Sequence, residues 1–119
     1  MALPPPPPPL PPTEFRGGLR TGLLNFGLSP WPFGHLRIDY DEILIWGIGI
    51  KIEANRSNTR GIHVKRGAVS TRIHIVYRSG VESRTFFNAY DTNSIIANLR
   101  YRGWTVYDAH KLPELAPMP

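Results

Sequence analysis

The 119-residue chain contains no cysteine. A disulfide framework, a thiolate metal site and a thiol nucleophile are therefore excluded. This composition fits a reducing compartment, and we expect the protein to be cytoplasmic. Long apolar runs are also missing: the longest, residues 43–50, is far shorter than the roughly 20 residues of a membrane helix. The N-terminus lacks a basic segment followed by an apolar one, so we expect neither a secretory signal nor a membrane helix.

Acidic residues are few, and they are scarcest in the middle of the sequence. The chain has 14 lysines and arginines against nine aspartates and glutamates, for a net charge of +5. Between residues 55 and 84 the only acidic residue is Glu82, against Arg56, Arg60, Lys65, Arg66, Arg72, Arg78 and Arg84. A surface of one sign attracts phosphates, anionic lipids or acidic proteins. The same charges also suit the solvent-facing positions of amphipathic strands.

Proline fills most of residues 1–12. Such a segment favours an extended polyproline helix and cannot enter the interior of a sheet or helix. It fits either a docking peptide for the aromatic-lined groove of a partner or a passive arm. We assign residues 1–20 to a proline-rich flexible arm, residues 21–107 to the folded domain and residues 108–119 to a C-terminal tail.

The beginning of the folded domain is irregular in sequence. Residues 22–26 have the composition of a short edge strand. Residues 29–34 contain two prolines, which predict a break in any regular element. We interpret Trp31 and Phe33, which lie in that segment, as core plugs or a lid.

Apolar and polar residues alternate from His35 onward, as in half-buried strands. The alternation predicts strands over residues 35–40, 42–46, 48–54, 61–66, 71–77 and 82–87, separated by turn-forming residues. Gly47 and Gly49 predict a bend between the second and third of them. Strands at this spacing are typical of a mainly β protein, here a small antiparallel bent sheet or barrel of about six to seven strands.

The period changes only near the C-terminus. Asp91 is a good N-cap, and Ile95, Ile96 and Leu99 follow at helical spacing. Gly103 supplies a left-handed stop. The pattern predicts one C-terminal α-helix whose apolar stripe caps the open end of the bent sheet.

Two segments resemble the pleckstrin-homology-like superfold, including its GRAM and bacterial members. They are Arg56-Ser-Asn-Thr-Arg-Gly-Ile-His-Val64, similar to the turn into a middle strand, and residues 86–106, similar to the family's closing strand, acidic cap and helix. The resemblance covers residues 21–107 and implies a PH-like scaffold with a lipid-headgroup, peptide or self-association site. Lipid-binding members hold the headgroup with basic residues of the first hairpin. The corresponding turn here, Tyr40-Asp41-Glu42, is acidic and departs from that pattern.

Enzymatic constellations are weak. Ile62 and Val64 are predicted to point inward, and His63, Lys65 and His74 outward. His63 and His74 could then be neighbours that hold a metal, but no third ligand is near in the sequence. Three clustered carboxylates, Asp39, Asp41 and Glu42, flank a turn, which solvation explains. We therefore expect no enzyme, no metal and no cofactor.

The sequence favours a non-enzymatic PH-like binding or assembly module. The anionic partner, an acidic protein surface or anionic lipid headgroups, is predicted to contact a basic sheet face that comprises Arg56, Arg60, Lys65, Arg66 and Arg72. One alternative is a structural subunit that self-associates through its edge strands. Another is a nucleic-acid-binding β protein, which is less favoured because Tyr77, Phe86 and Phe87 occupy predicted inward or paired positions.

Overall fold

The protein folds as one mixed β-sheet with a single helix, and the computed structural model describes residues 3–4, 9–21 and 27–118. In chain order the elements are β1 (Thr13–Thr21), β2 (Gly27–Ile38), β3 (Glu42–Gly47), β4 (Ile50–Asn55), β5 (Thr59–Arg66), β6 (Thr71–Tyr77), β7 (Thr85–Ala89), α1 (Thr92–Tyr101) and β8 (Val106–Asp108). The order across the sheet is β4-β3-β2-β1-β7-β6-β5-β8. The described part of the chain contains no helix that is long and apolar enough to cross a membrane.

The prediction of a mainly β protein with one C-terminal helix is confirmed. The described residues form eight strands rather than six to seven, and the expected antiparallel pairing fails at one place, because β8 runs parallel to β5. The helix lies between β7 and β8, so the chain crosses over before it returns to the sheet. The sheet does not close, since β4 and β8 remain its two edges.

The boundary of the predicted flexible arm needs correction. Residues 13–20 form most of β1, which lies in the middle of the sheet between β2 and β7. Leu19 is fully buried there and belongs to the hydrophobic core. Gly17 and Gly18 give this strand the composition of a linker, which is why its alternation is hidden in the sequence. The predicted edge strand at residues 22–26 lies outside the described residues.

Strand β2 passes through the segment in which two prolines predict a break. Between the paired positions Leu19↔Ser29 and Gly17↔Gly34, β1 advances by two residues while β2 advances by five. The three additional residues form a bulge. Both prolines lie within it, where the ladder requires no N–H donor. The predicted break is therefore wrong, because a bulge accommodates the prolines without ending the strand.

The bulge also explains two exposed aromatic residues. Trp31 and Phe33 are 60% and 54% exposed. Their interpretation as core plugs is wrong, because the bulge carries them away from the core. The peptide bond between Trp31 and Pro32 is cis.

The core is a single cluster on one face of the sheet. It includes Ala54 of β4 and Val64 of β5, although five strands separate β4 from β5 in the sheet order. The sheet must therefore bend around the cluster. Three residues of α1, Ile95, Ile96 and Leu99, are buried in the same cluster, as the helical spacing predicts.

Candidate anion-binding site

The outer face of β5 and β6, opposite the core, carries paired polar side chains. The strand register places Lys65 opposite Arg72 and His63 opposite His74. On β7 the Phe86 ring lies 4.9 Å from the His74 ring, centroid to centroid. The Arg72 guanidinium lies over the same Phe86 ring at 4.7 Å. Alternation thus brings basic and aromatic groups from three strands onto one surface.

Two segments distant in sequence fold over this surface and turn it into a pocket of about 330 Å³. We call it the basic pocket. It is lined by His63, Lys65, Arg72, His74, Glu82, Ser83, Arg84, His110, Lys111 and Leu112. Residues 82–84 precede β7, and residues 110–112 follow β8. Glu82 is the only carboxylate in a lining that otherwise contains four lysines and arginines and three histidines.

His63 is buried beneath these segments. Its ring Nδ1 lies 2.6 Å from Glu82 Oε2, and its Nε2 lies 2.8 Å from the carbonyl oxygen of Ala109. A carbonyl oxygen only accepts, so Nε2 donates to Ala109. The Glu82 carboxylate faces the other ring nitrogen, Nδ1. The ring points away from the core as predicted, but it is only 2% exposed because Glu82 and the C-terminal tail cover it.

His74, the neighbour of His63 on β6, has one hydrogen-bonded ring nitrogen. Its Nδ1 donates to the carbonyl oxygen of Ser83 at 2.7 Å. The neutral ring therefore carries its proton on Nδ1 and has an unprotonated Nε2. Burial lowers the pKa of His74, as do His63 and Arg72 to a smaller extent, against the opposing effects of the Ser83 hydrogen bond and the Glu82 carboxylate. Burial thus favours the neutral form of the His74 ring.

This environment predicts that acid destabilises the fold through His74. The pKa of His74 is lower in the folded protein than its ordinary value of 6.5, so the unfolded chain binds the proton more readily. The stabilisation from His74 is fully present above about pH 6.5 and decreases as the pH falls toward the folded-state pKa. We expect the free energy of unfolding, measured by urea titration at pH 7, 6 and 5, to fall less steeply in His74→Gln than in the wild type.

The exposed His110 offers a matched control for that measurement. His110→Gln also removes one histidine, and we expect it to keep the wild-type slope of stability against pH. Equal slopes in the wild type and His74→Gln would contradict the assignment of the acid sensitivity to His74.

No family model matches the sequence, and no curated protein or solved structure is significantly similar to it. Function is therefore inferred from the pocket itself.

Of the five residues predicted to bind an anion, the structure brings only Lys65 and Arg72 together in the pocket. Arg56 lies elsewhere and holds the end of the helix. Its guanidinium donates to the carbonyl oxygens of Tyr40, Arg102 and Gly103, at 2.6 to 3.1 Å. It also lies 3.7 Å over the Trp104 ring. These contacts give Arg56 a structural function.

The other two predicted residues also have intramolecular partners. Arg66 donates to both carboxylate oxygens of Asp108 and to Asn93. The Arg66–Asp108 contact joins the end of β5 to β8. Arg60 donates to the carbonyl oxygen of Ala116 in the C-terminal tail. Both arginines therefore fasten the segment after α1 to the sheet.

Eight of the ten pocket residues were not predicted to bind an anion, among them Arg84, His110 and Lys111. Arg84 belongs to the basic run of the sequence, but nothing local indicates that it turns toward Lys65 and Arg72. His110 and Lys111 reach the pocket because β8 pairs with β5, with His63 opposite Tyr107. The chain reaches β8 only after crossing over through α1, and no pattern in the sequence predicts the pairing of β8 with β5.

The described residues contain no group of three or more histidine, aspartate or glutamate side chains that could hold a metal ion. His63 and Glu82 already bind each other. Of the clustered carboxylates at the β2–β3 turn, Asp39 faces Arg102 at 3.6 Å, and its backbone carbonyl accepts from Trp104 Nε1. Asp39 therefore links this turn to the helix end.

Proposed function

We propose that the protein is a non-enzymatic PH-like binding module that holds an acidic group of a partner protein in the basic pocket. One observation carries this proposal. The four long cationic side chains of the pocket form no ion pair with any carboxylate of the described residues. They are Lys65, Arg72, Arg84 and Lys111.

The pocket's own carboxylate does not neutralise them. Glu82 contacts His63 at 2.6 Å, so its charge is directed to the histidine pair. Like charges that converge without a counter-ion raise the local potential, and a concave wall concentrates it. An incoming anion would relieve this repulsion and accept charge-assisted hydrogen bonds from several donors at once.

The shape of the pocket favours a protein partner over a bilayer. Its anionic ligand must enter a cavity of about 330 Å³ that is walled on one side by the tail residues His110, Lys111 and Leu112. A protruding acidic side chain can enter, whereas a flat membrane surface meets only the rim. The acidic turn at Asp41 also lacks the cations that lipid-binding relatives of the resembled fold carry there. The mainly β sheet with one C-terminal helix supports the PH-like part of the proposal.

Binding of a labelled hexaglutamate peptide tests the proposal. We expect the triple variant Lys65→Ala, Arg72→Ala and Arg84→Ala to bind the peptide at least about tenfold more weakly at 0.15 M salt. A single hydrogen bond to a charged group contributes about 1.5–3 kcal/mol, so the loss of three donors exceeds that threshold. Fluorescence anisotropy of the peptide gives the dissociation constants.

A control variant removes the same charge from other surfaces. Arg16, Arg37 and Arg100 are exposed and lie outside the basic pocket. Their triple alanine variant should retain the wild-type affinity. Equal losses in both variants would show only a net-charge effect and would overturn the proposal. Binding to phosphatidylserine vesicles without binding to the peptide would favour the membrane alternative.

A further inference from the structure

A second cavity, of about 450 Å³, lies at the β3–β4 end of the sheet and shares no residue with the basic pocket. We call it the Trp46 groove. It is lined by Arg37, Leu44, Trp46, Gly47, Gly49, Ile50 and Lys51. The proposal about the basic pocket does not involve it.

The indole of Trp46 is held in place within this groove. It stacks on the His35 ring with centroids 4.8 Å apart and an interplanar angle of 9°. His35 is itself fixed by a contact of 3.0 Å between its Nδ1 and Glu14 Oε1. Of the two glycines of the groove, Gly49 has open space where a Cβ would lie, whereas a Cβ at Gly47 would point at Ser29. The groove therefore offers a partly exposed aromatic surface that is oriented before a ligand arrives.

Arg37 and Lys51 line the groove and carry hydrogen-bond donors, although Lys51 Nζ also contacts Glu53 Oε1 at 2.9 Å. A fixed aromatic ring with nearby donors suits a polyproline ligand. Proline has no N–H, and the carbonyls of a polyproline helix remain free to accept hydrogen bonds. Aromatic-lined grooves bind such helices because the ligand loses little conformational entropy.

The same chain carries a ligand of this chemistry. Residues 4–9 are six consecutive prolines, bounded by Leu3 and Leu10. At 3.1 Å per residue in a polyproline helix they would span about 19 Å. The six residues of β3 span about 20 Å. A docked polyproline segment would thus be about as long as β3, the strand that lines the groove.

The C-terminal end of the arm, Leu10 and Pro11, contacts the fold away from the Trp46 groove of the same molecule. Arg102 donates to the carbonyl oxygen of Pro11 at 2.6 Å, and the backbone N–H of Leu10 donates to the Tyr40 hydroxyl at 3.2 Å. Tyr40 lies at the β2–β3 turn, whereas Trp46 lies near the opposite end of β3. Leu3 is 91% exposed, so this residue does not pack in the groove of the same molecule.

We propose that the proline arm of one molecule docks in the Trp46 groove of a second copy. Two copies related by a two-fold axis can each supply one arm and one groove, which closes the assembly at a dimer. The two contacts are linked, so the first raises the effective concentration for the second. Self-association then uses the arm and the groove rather than the edge strands.

Sedimentation velocity of the full chain tests this proposal. We expect the wild type to form a dimer in the micromolar range. Two variants should dimerise at least tenfold more weakly: Trp46→Ala, and the arm variant with Pro5, Pro6, Pro7 and Pro8 changed to serine. Trp31→Ala is the matched control, since Trp31 is exposed but does not line the groove. It should keep the wild-type dimer.

Mixing the two defective variants separates docking between copies from misfolding. The Trp46→Ala chain retains its arm, and the arm variant retains its groove, so an equimolar mixture can form one of the two contacts. It should associate more strongly than either variant alone and more weakly than the wild type. The arm variant changes residues before the first strand, so its loss of dimer cannot come from a damaged sheet. A monomeric wild type, a dimer that survives the serine substitutions, or a mixture that stays monomeric would overturn the proposal.

Discussion

Gly17→Ala should lower the free energy of unfolding by about 1–3 kcal/mol, the range for overpacking in a well-packed interior. A Cβ at Gly17 would overlap the backbone carbonyl oxygen of Asn88 and lie 2.7 Å from Cζ of Phe87. Neither group can move easily, because Asn88 O belongs to the backbone of β7 and Phe87 is fully buried. The added methyl group must therefore push β1 away from β7.

The neighbouring Gly18 provides the control. A Cβ there would come no closer than 3.5 Å to any atom, the nearest being Ser29 O, which is ordinary van der Waals contact. Gly18→Ala should leave stability unchanged or raise it by about 0.4–1 kcal/mol, because alanine restricts the unfolded chain. Urea unfolding followed by circular dichroism measures both variants. Equal stability of the two would contradict the packing of β1 described here.

The parts of the fold that could be predicted from the sequence are those set by local patterns. Strands β3 to β6 follow from local alternation, and β6 has the predicted bounds, residues 71–77. The helix likewise follows from Ile95, Ile96 and Leu99. Strand β1 does not, because Gly17 is required by the close approach of another strand. The bulge in β2 could not be predicted for the same reason. The two prolines indicate a local restriction of the backbone, but the bulge depends on how β2 pairs with β1.

Some features of the basic pocket could likewise be predicted from the sequence, and others could not. Lys65 and Arg72 could be predicted together, because both lie at polar positions of adjacent strands. His63 could be assigned to the correct face but not to its buried state. The groups that cover it, Glu82 and Ala109, lie 19 and 46 residues away in the chain. The second face of a sheet is covered by distant segments, so alternation predicts the direction of a side chain and not its exposure.

Arg102 occupies a buried junction at the end of α1. Its guanidinium is fully buried, and its Nε donates to Asn98 at 2.8 Å. Its Nη2 donates to Pro11 O and to Thr13 Oγ1. Its Nη1 has no hydrogen-bond partner among the described residues, and the carboxylate of Asp39 lies 3.6 Å from it. The single side chain thus connects the helix, the start of β1 and the β2–β3 turn.

Arg102→Met should destabilise the protein by about 3 kcal/mol, the lower end of the range for removing one partner of a buried ion pair. The lower end applies because Asp39 is partly exposed and stays hydrated after the change. Most of the loss comes from Pro11 O and Asn98 Oδ1, which lose Arg102 as their donor, whereas Thr13 Oγ1 still accepts from Asn98 Nδ2 at 3.1 Å. Hydrogen exchange at the amide of Thr13 should also become faster.

Arg100→Met is the control, since Arg100 is exposed on the same helix and its side chain has no hydrogen bond or ion pair with the described residues. It should change stability by less than about 0.5 kcal/mol, as surface substitutions usually do. Methionine fills much of the volume of arginine, and well-packed apolar replacements of buried ion pairs can be neutral. An Arg102→Met variant as stable as Arg100→Met would show that packing, not the guanidinium, holds the helix end against β1. Destabilisation together with faster exchange at Thr13 would show that the guanidinium holds the helix end against β1. Through its hydrogen bond to Pro11 O, the same group holds the last residues of the proline arm against the fold.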